Sequence, residues 1–358
     1  MQSSKQNNKD IKVFVAMSGG VDSSLVAILL KEQGYDVRGI TMRLIIDGIN
    51  IFDAAEQDAR QVADKLKIKH SILDVSKEMH KQVIGLFIDY YSNAFTPNPC
   101  VFCNQRIKFG LLFDWIRSQG GSYLATGHYV RNDSLNIRRG VDKIKDQSYF
   151  LCGIDKNILE YLKFPLGNML KTDVKALAAQ YNLSLSNKKE SQDICFISKQ
   201  GYKEFLKDRG IDKYCKPGAF IDNNGEVVGE HKGFWNYTIG QRDKLGIALG
   251  YPAYVYRMDS KDNIIYVGPK ECLEASSLYA KEYNGIKLDY AEGASCKVKA
   301  QIRYHTKPVD AKVLFLKDRE AKVVFDQPQN AITPGQFVAF YEDDVLLGGG
   351  VIRGLNKS

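Results

Sequence analysis

The chain has 358 residues, of which 44% are hydrophobic and 26% are charged, a composition typical of a folded protein with about two or three domains. Residues 1–10 form no apolar signal segment and no run is long enough to span a bilayer, so we expect a cytoplasmic protein with no membrane partner. The formal charge of +8 favours a polyanionic partner such as nucleic acid, and the seven cysteines, an odd number, favour free thiols over a disulfide framework.

The first predicted unit is a strand, a glycine turn and a helix. Residues 11–17 form an apolar, β-branched run typical of a buried strand, and residues 25–30 give the apolar face of a helix that ends at Gly34. Between them, Gly19 and Gly20 permit positive φ and a close approach of the backbone to a ligand, while serine hydroxyls and helix N–H groups suit an anion. We predict a phosphate-binding turn, with a purely structural glycine turn as the alternative.

The residues of this turn narrow the kind of phosphate site. The turn has no lysine, which a Walker loop requires, and it lacks the dinucleotide fingerprint G-x-G-x-x-G. Its sequence SGGVDS (18–23) resembles the motif of the PP-loop ATP pyrophosphatases, which split ATP into AMP and pyrophosphate and adenylate a substrate oxygen. That resemblance implies ATP contacts at Ala16, Met17, Ser18, Gly19, Gly20, Val21, Asp22 and Ser23.

Alternating strands and helices continue beyond the first unit. Strands are predicted at 37–42, 71–75 and 123–127, and helices at 54–66, 78–91 and 107–118. This alternation predicts a parallel sheet covered on both faces, in which ligands bind at the carboxyl ends of the strands. We therefore expect 17–23, Met42 and 127–128 to lie at one edge of the sheet.

The segment 96–104 contains two prolines and is predicted to be a loop that carries Cys100 and Cys103. A structural zinc site would need a second ligand pair at suitable spacing, which the chain lacks, whereas a redox pair stays open. Cys103 precedes a predicted helix, whose dipole, with Arg106 or Lys108, would lower the thiol pKa toward neutrality. Cys103 is thus a candidate nucleophile, and two ordinary loop cysteines are the alternative.

The second half of the chain is predicted to be rich in β-structure. A short helix at 202–209 is followed by hairpin turns at 223–225 and 260–263, which indicate a small middle domain. Strands at 296–304, 311–316, 322–325 and 337–341 predict a β-barrel. Lys297, Lys299, Gln301 and Arg303 alternate with apolar residues, so we expect one basic face that is either solvated or bound to a phosphate backbone.

A set of motifs in fixed order covers nearly the whole chain. They are SGGVDS (18–23), TPNPC..CN..IKF (96–109), ATGHY (125–129), KDQSYFL (145–151), ESQDICF (190–196), TIGQR..LGI (238–247), TPGQ (333–336) and LGGGVI (347–352). In this respect the chain resembles the tRNA 2-thiouridylase family. The resemblance implies an α/β fold with a Rossmann-like parallel-sheet PP-loop domain (1–203), a central β-rich domain (204–279) and a C-terminal β-barrel that contacts tRNA (280–358).

The resemblance also implies a reaction, in which ATP activates the O2 of the wobble uridine of tRNA and a cysteine persulfide replaces that oxygen with sulfur. Cys195 matches the cysteine that carries the persulfide and Cys103 the nucleophile that resolves the resulting disulfide. We expect the fold to bring both thiols to the mouth of the glycine turn. The implied partners are ATP, with Mg²⁺, a sulfur relay protein or cysteine desulfurase as sulfur donor, and the tRNAs for Lys, Glu and Gln.

Further site residues are implied by the same resemblance. Met42 and Gly127 match adenine-nucleotide contacts, and Asn98, Pro99 and Cys100 match the segment that contacts the target base. The matching tRNA contacts are His128, Lys145, Asp146, Gln147, Arg303, Tyr304 and Gln336. Without the resemblance, the residues alone favour other interpretations. His128 would be a histidine at a strand end that hydrogen-bonds a neighbouring residue, and Cys195 would be a core cysteine beside apolar residues. No metal ligand is assigned, although Asp22 is a candidate for Mg²⁺.

Two departures from the family pattern leave alternatives open. Some relatives have aspartate at the position of Cys100, so an acid–base role of that aspartate cannot be assigned to this chain. Cys100 is also a third thiol, which leaves open an iron–sulfur cluster held by Cys100, Cys103 and Cys195. The segment 43–46, after Met42, lacks a tryptophan that many relatives have. The other functional alternatives are a PP-loop ligase or amidating enzyme that adenylates a small carboxylate or carbonyl, and a nucleotide-binding module that docks RNA without catalysis.

Overall fold

The structure, a computed structural model, describes residues 8–133, 135–181 and 194–355. These residues form two compact units. The described part of the first unit comes from 8–82, 102–181 and 344–346, and that of the second from 83–101, 194–343 and 347–355. Within the described ranges, none of the helices combines the length and the apolar character needed to cross a bilayer.

Helices and strands alternate along most of the chain up to residue 181. In chain order they are β1 (Lys12–Ala16), α1 (Val21–Glu32), β2 (Asp36–Arg43), β3 (Ile45–Ile46), β4 (Ile49–Asn50), α2 (Asp53–Leu66), β5 (Lys69–Asp74), α3 (Ser76–Met79), α4 (Gly85–Ser92), α5 (Pro99–Phe102), α6 (Leu112–Ser118), β6 (Tyr123–Ala125), β7 (Val130–Asn132), β8 (Ile137–Arg139), β9 (Leu162–Lys163) and α7 (Lys171–Gln180). Two π-helical segments, His80–Ile84 and Cys103–Leu111, and 3₁₀ turns at Asn8–Asp10, Ser148–Leu151 and Lys156–Tyr161 complete this part.

A five-stranded parallel sheet is the centre of the first unit, in the order β5-β2-β1-β6-β9. The central strand β1 is apolar and buried, with Val13 and Val15 fully inaccessible, and the buried face of α1 packs on it through Leu25 and Val26. Burial on both faces is what the continuous apolar run predicted. The α/β prediction is confirmed, and four of the five sheet strands and the first two helices lie within a few residues of their predicted positions, whereas β9 was not predicted.

The helices near the predicted cysteine loop differ from the prediction. The segment 96–104 is not a loop throughout, because α5 begins at Pro99, where a proline is tolerated since the first helical N–H has no partner within the helix. Cys103–Leu111 then forms a π-helical segment that continues into α6. The predicted helix at 78–91 is likewise divided, with the π-helical turn His80–Ile84 between two α-helical parts.

The second unit contains two β-structures. From residue 194 onward the elements are α8 (Tyr202–Asp208), β10 (Gly218–Ile221), β11 (Val227–His231), β12 (Tyr254–Asp259), β13 (Ile264–Gly268), β14 (Glu274–Gly285), β15 (Ser295–Gln301), β16 (Val309–Phe315), β17 (Ala321–Asn330), β18 (Phe337–Glu342) and β19 (Val345–Gly354), with 3₁₀ turns at Ile211–Lys213, Phe234–Asn236, Lys270–Leu273 and Lys317–Arg319. Strands β10–β13 form a four-stranded sheet in the order β11-β10-β13-β12, which contains both predicted hairpins.

The C-terminal strands close into a six-stranded barrel. The order β14-β17-β16-β15-β18-β19 is completed by pairing of β14 with β19, which removes the open edges of the sheet. Its core includes the fully buried Tyr283, Phe315 and Phe340, with the first two ring centroids 4.8 Å apart. The predicted barrel is confirmed, whereas the bounds of the three predicted domains stay a prediction.

The predicted basic face on β15 is wrong. The strand ends at Gln301, so the alternation does not continue to Arg303. Gln301 is buried and its side-chain amide donates to the carbonyls of Arg303 and Tyr304 at 2.9 and 2.7 Å, while Lys299 pairs with Asp310 at 2.8 Å. Because Gln301 is buried and the charge of Lys299 is paired with that of Asp310, the four side chains do not present one continuous basic surface.

Candidate active site

The glycine turn between β1 and α1 has the geometry that an anion site needs. Gly19 has φ +65°, and a Cβ atom at this position would lie 2.5 Å from the carbonyl oxygen of Ala55, so only glycine fits. The hydroxyl of Ser23 accepts the N–H of Ser18 at 3.1 Å and donates to the carbonyl of Gly20 at 3.2 Å. The turn is therefore held by its own serine, in front of the N–H groups that begin α1.

The edge of the sheet gathers the other predicted nucleotide contacts. Met42 is half-buried on β2, which lies directly beside β1. Gly127 follows β6, on the other side of β1, and a Cβ there would lie 3.1 Å from the Cβ of Asp22 and 3.2 Å from the amide nitrogen of Ser23. The expectation that these residues share the carboxyl edge of the parallel strands is confirmed, and their ATP contacts stay a prediction.

Lys171 is a residue of this site that the sequence did not reveal. It is the first residue of α7, it is 9% exposed, and its Nζ lies 2.7 and 2.8 Å from the two carboxylate oxygens of Asp22. The hydroxyl of Tyr129 donates to the same carboxylate at 3.0 Å. The fold thus brings a cation to a turn that contains none. The only signal in the sequence is a lysine at the start of a polar helix, and no spacing connects it to the turn.

Cys103 differs from its predicted environment. Phe102, the residue before it, already has a helical backbone (φ −61°, ψ −41°), so Cys103 does not lie at a helix N-terminus. Cys103 as a whole is half-buried, and burial raises the pKa of its thiol above the ordinary value, which the positive charge of Lys108 opposes only in part. The predicted lowering of the thiol pKa is wrong because burial disfavours the thiolate, and the helix N-terminus expected to offset this lies earlier in the chain. Cys103 therefore needs a base to become a nucleophile.

Cys195 and Cys100 are both exposed and both belong to the second unit, whereas Cys103 belongs to the first. The residue after Cys195, Phe196, is buried with its ring centroid 5.4 Å from the rings of Phe87 and of Phe205. This aromatic contact fixes the backbone beside a surface thiol, so Cys195 is not the core cysteine of the alternative interpretation. Its approach to Cys103 stays a prediction. Residues 190–193 of its motif lie outside the described residues.

His128, predicted to contact tRNA, is buried in the first unit. Its Nδ1 lies 2.7 Å from the hydroxyl of Thr126, and its ring lies against Phe109 and Phe164 at centroid distances of 5.7 and 6.2 Å. Burial lowers the pKa of His128 well below its usual value, so the imidazole is neutral at pH 7. This is the environment of a strand-end histidine satisfied by its neighbour, and a contact of His128 with tRNA stays a prediction.

The segment that carries Lys145, Asp146 and Gln147 is organised by its own polar side chains. The carboxylate of Asp146 accepts the N–H groups of Gly140 at 2.9 Å and of Ser148 at 3.1 Å, although burial raises its pKa. The side-chain oxygen of Gln147 accepts the N–H of Tyr129 at 3.0 Å. These bonds connect the segment to the residue that also bonds Asp22, and its contacts with tRNA stay a prediction.

The remaining predicted residues lie in the second unit. In the target-base segment, Cys100 is exposed, Asn98 half-buried and Pro99 buried. Arg303 donates through its guanidinium to the carbonyl of Ala331 and, at 2.7 Å, to the hydroxyl of Thr333. Tyr304 is partly exposed beside His305, and the side-chain amide of Gln336 donates to backbone carbonyls just before Asn98. Among the described residues, no three His, Cys, Asp or Glu side chains form a group that could hold a metal ion.

Comparison with known families covers almost the whole chain. A model described as the tRNA methyl transferase HUP domain matches residues 11–199, one described as the tRNA methyl transferase PRC-barrel domain matches 203–269, and one described as the aminomethyltransferase beta-barrel domain matches 275–352. The family models thus follow the order of parallel sheet, small β-sheet and barrel.

Similar proteins extend this likeness to full length. The tRNA-specific 2-thiouridylase MnmA of Halothermothrix orenii is 42% identical in an alignment of 355 residues that covers 96% of this chain and 99% of that protein. The protein of that name from Acetivibrio thermocellus is 40% identical over 357 residues, with 96% and 99% covered. The tRNA-specific 2-thiouridylase MnmA 1 of Caldanaerobacter subterraneus is 44% identical over 357 residues, with 96% and 98% covered.

Proposed function

Since the chain belongs to the tRNA-specific 2-thiouridylase family, an ATP-dependent tRNA sulfurtransferase family, we propose that it replaces the O2 of the wobble uridine with sulfur through an adenylated uridine and a cysteine persulfide. The observation that carries the proposal is that one chain contains both a preformed glycine turn, held by the bond between Ser18 and Ser23, and an exposed thiol at Cys195. The glycine turn would bind the phosphates during ATP cleavage, and the Cys195 thiol would carry the sulfur.

The first step activates the oxygen. The uridine O2 attacks the α-phosphorus of ATP, pyrophosphate leaves, and the base now carries AMP, a far better leaving group than an oxygen anion. The N–H groups at the start of α1 would bind the pyrophosphate oxygens, and the ammonium of Lys171 would offset part of their charge. Met42, on β2, and Gly127, just after β6, would border the adenine nucleotide, since these two strands flank β1.

We propose that Mg²⁺ enters with ATP. Both carboxylate oxygens of Asp22 accept from Lys171, so this residue would bind the ion only after that ion pair opens. Mg²⁺, when bound, would supply positive charge to the phosphate oxygens. The remaining chemistry is assigned to the thiols of the chain.

The second step transfers sulfur. The terminal sulfur of a persulfide on Cys195 attacks C2, the C–O bond breaks and AMP leaves with its electron pair. The thiolate of Cys103 then attacks Sγ of Cys195, the sulfur–sulfur bond to the base breaks, and the electron pair goes to the sulfur of the 2-thiouridine. The product is a Cys103–Cys195 disulfide, which an external thiol reduces. A sulfur relay protein or a cysteine desulfurase would reload Cys195, and the tRNAs for Lys, Glu and Gln are the proposed substrates.

The test is incubation of the protein with those tRNAs, ATP and a persulfide donor, with 2-thiouridine measured by mass spectrometry and pyrophosphate measured separately. Cys103→Ser and Cys195→Ser should each abolish 2-thiouridine and retain ATP binding, whereas Cys272→Ser, a half-exposed thiol of the second unit, should retain both. Full thiolation by either of the first two variants contradicts the thiol chemistry. Iron and acid-labile sulfide in protein purified without oxygen would favour a cluster on Cys100, Cys103 and Cys195 instead.

A further inference from the structure

The turn that precedes β18 is built into the barrel. The N–H of Gln336 donates to the carbonyl of Thr333 at 3.2 Å, and the turn has Pro334 and Gly335 at its centre, with Gly335 at φ +92°. The N–H of Gly335 donates to the carbonyl of Ile352 on β19 at 2.8 Å, and the N–H of Ile352 returns a bond to the carbonyl of Gln336 at 2.7 Å. One side of the turn is therefore part of the barrel ladder.

The other side of the same turn holds residues 95–97, which come just before the proposed target-base segment. The N–H of Thr96 donates to the carbonyl of Pro334 at 2.9 Å, and Nε2 of Gln336 donates to the carbonyls of Thr96 at 2.8 Å and Pro97 at 3.3 Å. A Cβ at Gly335 would lie 2.9 Å from the carbonyl oxygen of Thr96, so the two backbones are in direct contact. These bonds fix the peptide groups on both sides of Pro97.

The bonds to Thr96 and Pro97 also constrain the next residues of the chain. Prolines at 97 and 99 have restricted φ, and each also restricts the residue before it, so little freedom separates the held carbonyls from Asn98 and the start of α5. A side-chain amide nitrogen carries two N–H donors, and Nε2 of Gln336 has these two carbonyls as acceptors. In this arrangement, the donor end of Gln336 is engaged by the protein and is not offered to an RNA phosphate.

We propose that Gln336 is a positioning residue whose side-chain amide holds the Asn98–Cys100 segment on the barrel in the orientation that the target base requires. The proposal rests on the proposed function for the role of that segment, and it changes the expected role of Gln336 from a simple tRNA contact. A contact with tRNA would contribute to tRNA affinity. A residue that orients the base-contact segment instead contributes to the rate once tRNA is bound.

The test compares Gln336→Met, which keeps the length of the side chain and removes both donors, with Gln329→Met. Gln329 lies on β17 of the same barrel, and the bonds of its amide go to the carbonyls of Gln327 and Pro328 beside it. In free protein, Gln336→Met should raise the amide hydrogen exchange of 95–101 about tenfold, with the peptides of the barrel strands unchanged. At saturating tRNA and ATP, the single-turnover thiolation rate should fall about tenfold, with the tRNA Kd within about twofold of the parent.

A second variant separates positioning from general loss of structure. In Gln336→Glu, an ionised carboxylate would face two carbonyl oxygens, while its protonated form regains one O–H donor. The thiolation rate of Gln336→Glu relative to the parent should therefore rise as the pH falls from 8 to 6. Because this comparison uses one preparation of folded protein, it tests the positioning role even if Gln336→Met does not fold.

Two results would overturn the proposal. One is an amide hydrogen exchange rate at 95–101 in Gln336→Met that equals the rate in the parent protein. The other is a raised tRNA Kd with an unchanged maximal rate, which would make Gln336 a direct RNA contact. Absence of 2-thiouridine from the parent protein would instead reject the proposed function, while the exchange measurement, which needs no turnover, would still decide whether Gln336 holds the segment.

Discussion

Lys171 and Asp22 lie at the glycine turn with Nζ 2.7 Å from the carboxylate, and their side chains are 11% and 30% exposed. At this degree of burial, loss of one partner leaves the other charge poorly solvated, which costs more than the loss of a surface ion pair. The pair therefore stabilises the turn and provides charge for phosphate oxygens.

We predict that Lys171→Met lowers ATP affinity by about tenfold or more and lowers the free energy of unfolding by about 1–2 kcal/mol. Calorimetric titration with ATP, and with pyrophosphate alone, measures the first effect, and urea unfolding measures the second. Lys175→Met is the matched control, because Lys175 is exposed one turn further along α7. Parental affinity for both ligands in Lys171→Met would remove Lys171 from the phosphate site.

The raised pKa of Cys103 predicts its reactivity. Since burial disfavours the thiolate, the alkylation rate of Cys103 by iodoacetamide should still be rising above pH 9, rather than reaching a plateau near neutrality. Lys108→Met should raise the thiol pKa further and slow alkylation at pH 8, because the charge of Lys108 opposes the effect of burial. Peptide mass spectrometry over pH 7–10 measures both, and a plateau below pH 8 would contradict this assignment.

At the scale of the element, the strand–turn–helix unit depends on one glycine for its shape. Gly19 and Gly34 both have positive φ, at +65° and +85°, but only Gly19 has backbone atoms where a Cβ would lie. We predict that Gly34→Ala costs about 1 kcal/mol from the backbone conformation alone, whereas Gly19→Ala costs more and abolishes ATP binding. Urea unfolding and ATP titration of the pair check this. Equal effects of the two substitutions would show that the contact with Ala55 is unimportant.

The same scale shows how far the sequence could predict the structure. Strands of the parallel sheet were predictable because continuous apolar runs between amphipathic helices have few other uses, and the phosphate turn was predictable because its residues are adjacent. The start of α5 was not predictable, because proline is common at the first position of a helix and also ends helices when it lies in their interior. Lys171 and the bonds of Gln336 to 96–97 were also inaccessible, because both depend on tertiary contacts between distant residues.

For the whole molecule, the net charge of +8 is the feature that matters most for a tRNA substrate. Binding that releases counterions from the phosphate backbone weakens as salt rises, so we predict a linear fall of log affinity with log salt. Arg303→Ala should reduce the slope by about one, measured by filter binding over a salt series. Because Arg303 also bonds Ala331 and Thr333, the thermal stability of the variant is measured alongside.

Arg257→Ala is the control for that slope. It removes the same charge from an exposed side chain on β12, outside the barrel, where Arg257 pairs with Asp259 at 3.0 Å. An unchanged slope in Arg303→Ala would exclude Arg303 from the RNA interface. An equal fall in both variants would indicate a general effect of net charge.

The proposed phosphate site is assembled from residues far apart in the chain, since Asp22 bonds Tyr129 and Lys171 across 107 and 149 positions. During translation, the glycine-rich loop therefore leaves the ribosome long before its lysine does. We expect that ribosome-bound chains arrested before α7 emerges do not bind ATP, and that chains arrested well beyond α7 bind it. On this expectation, a newly made chain binds ATP only after synthesis has passed α7.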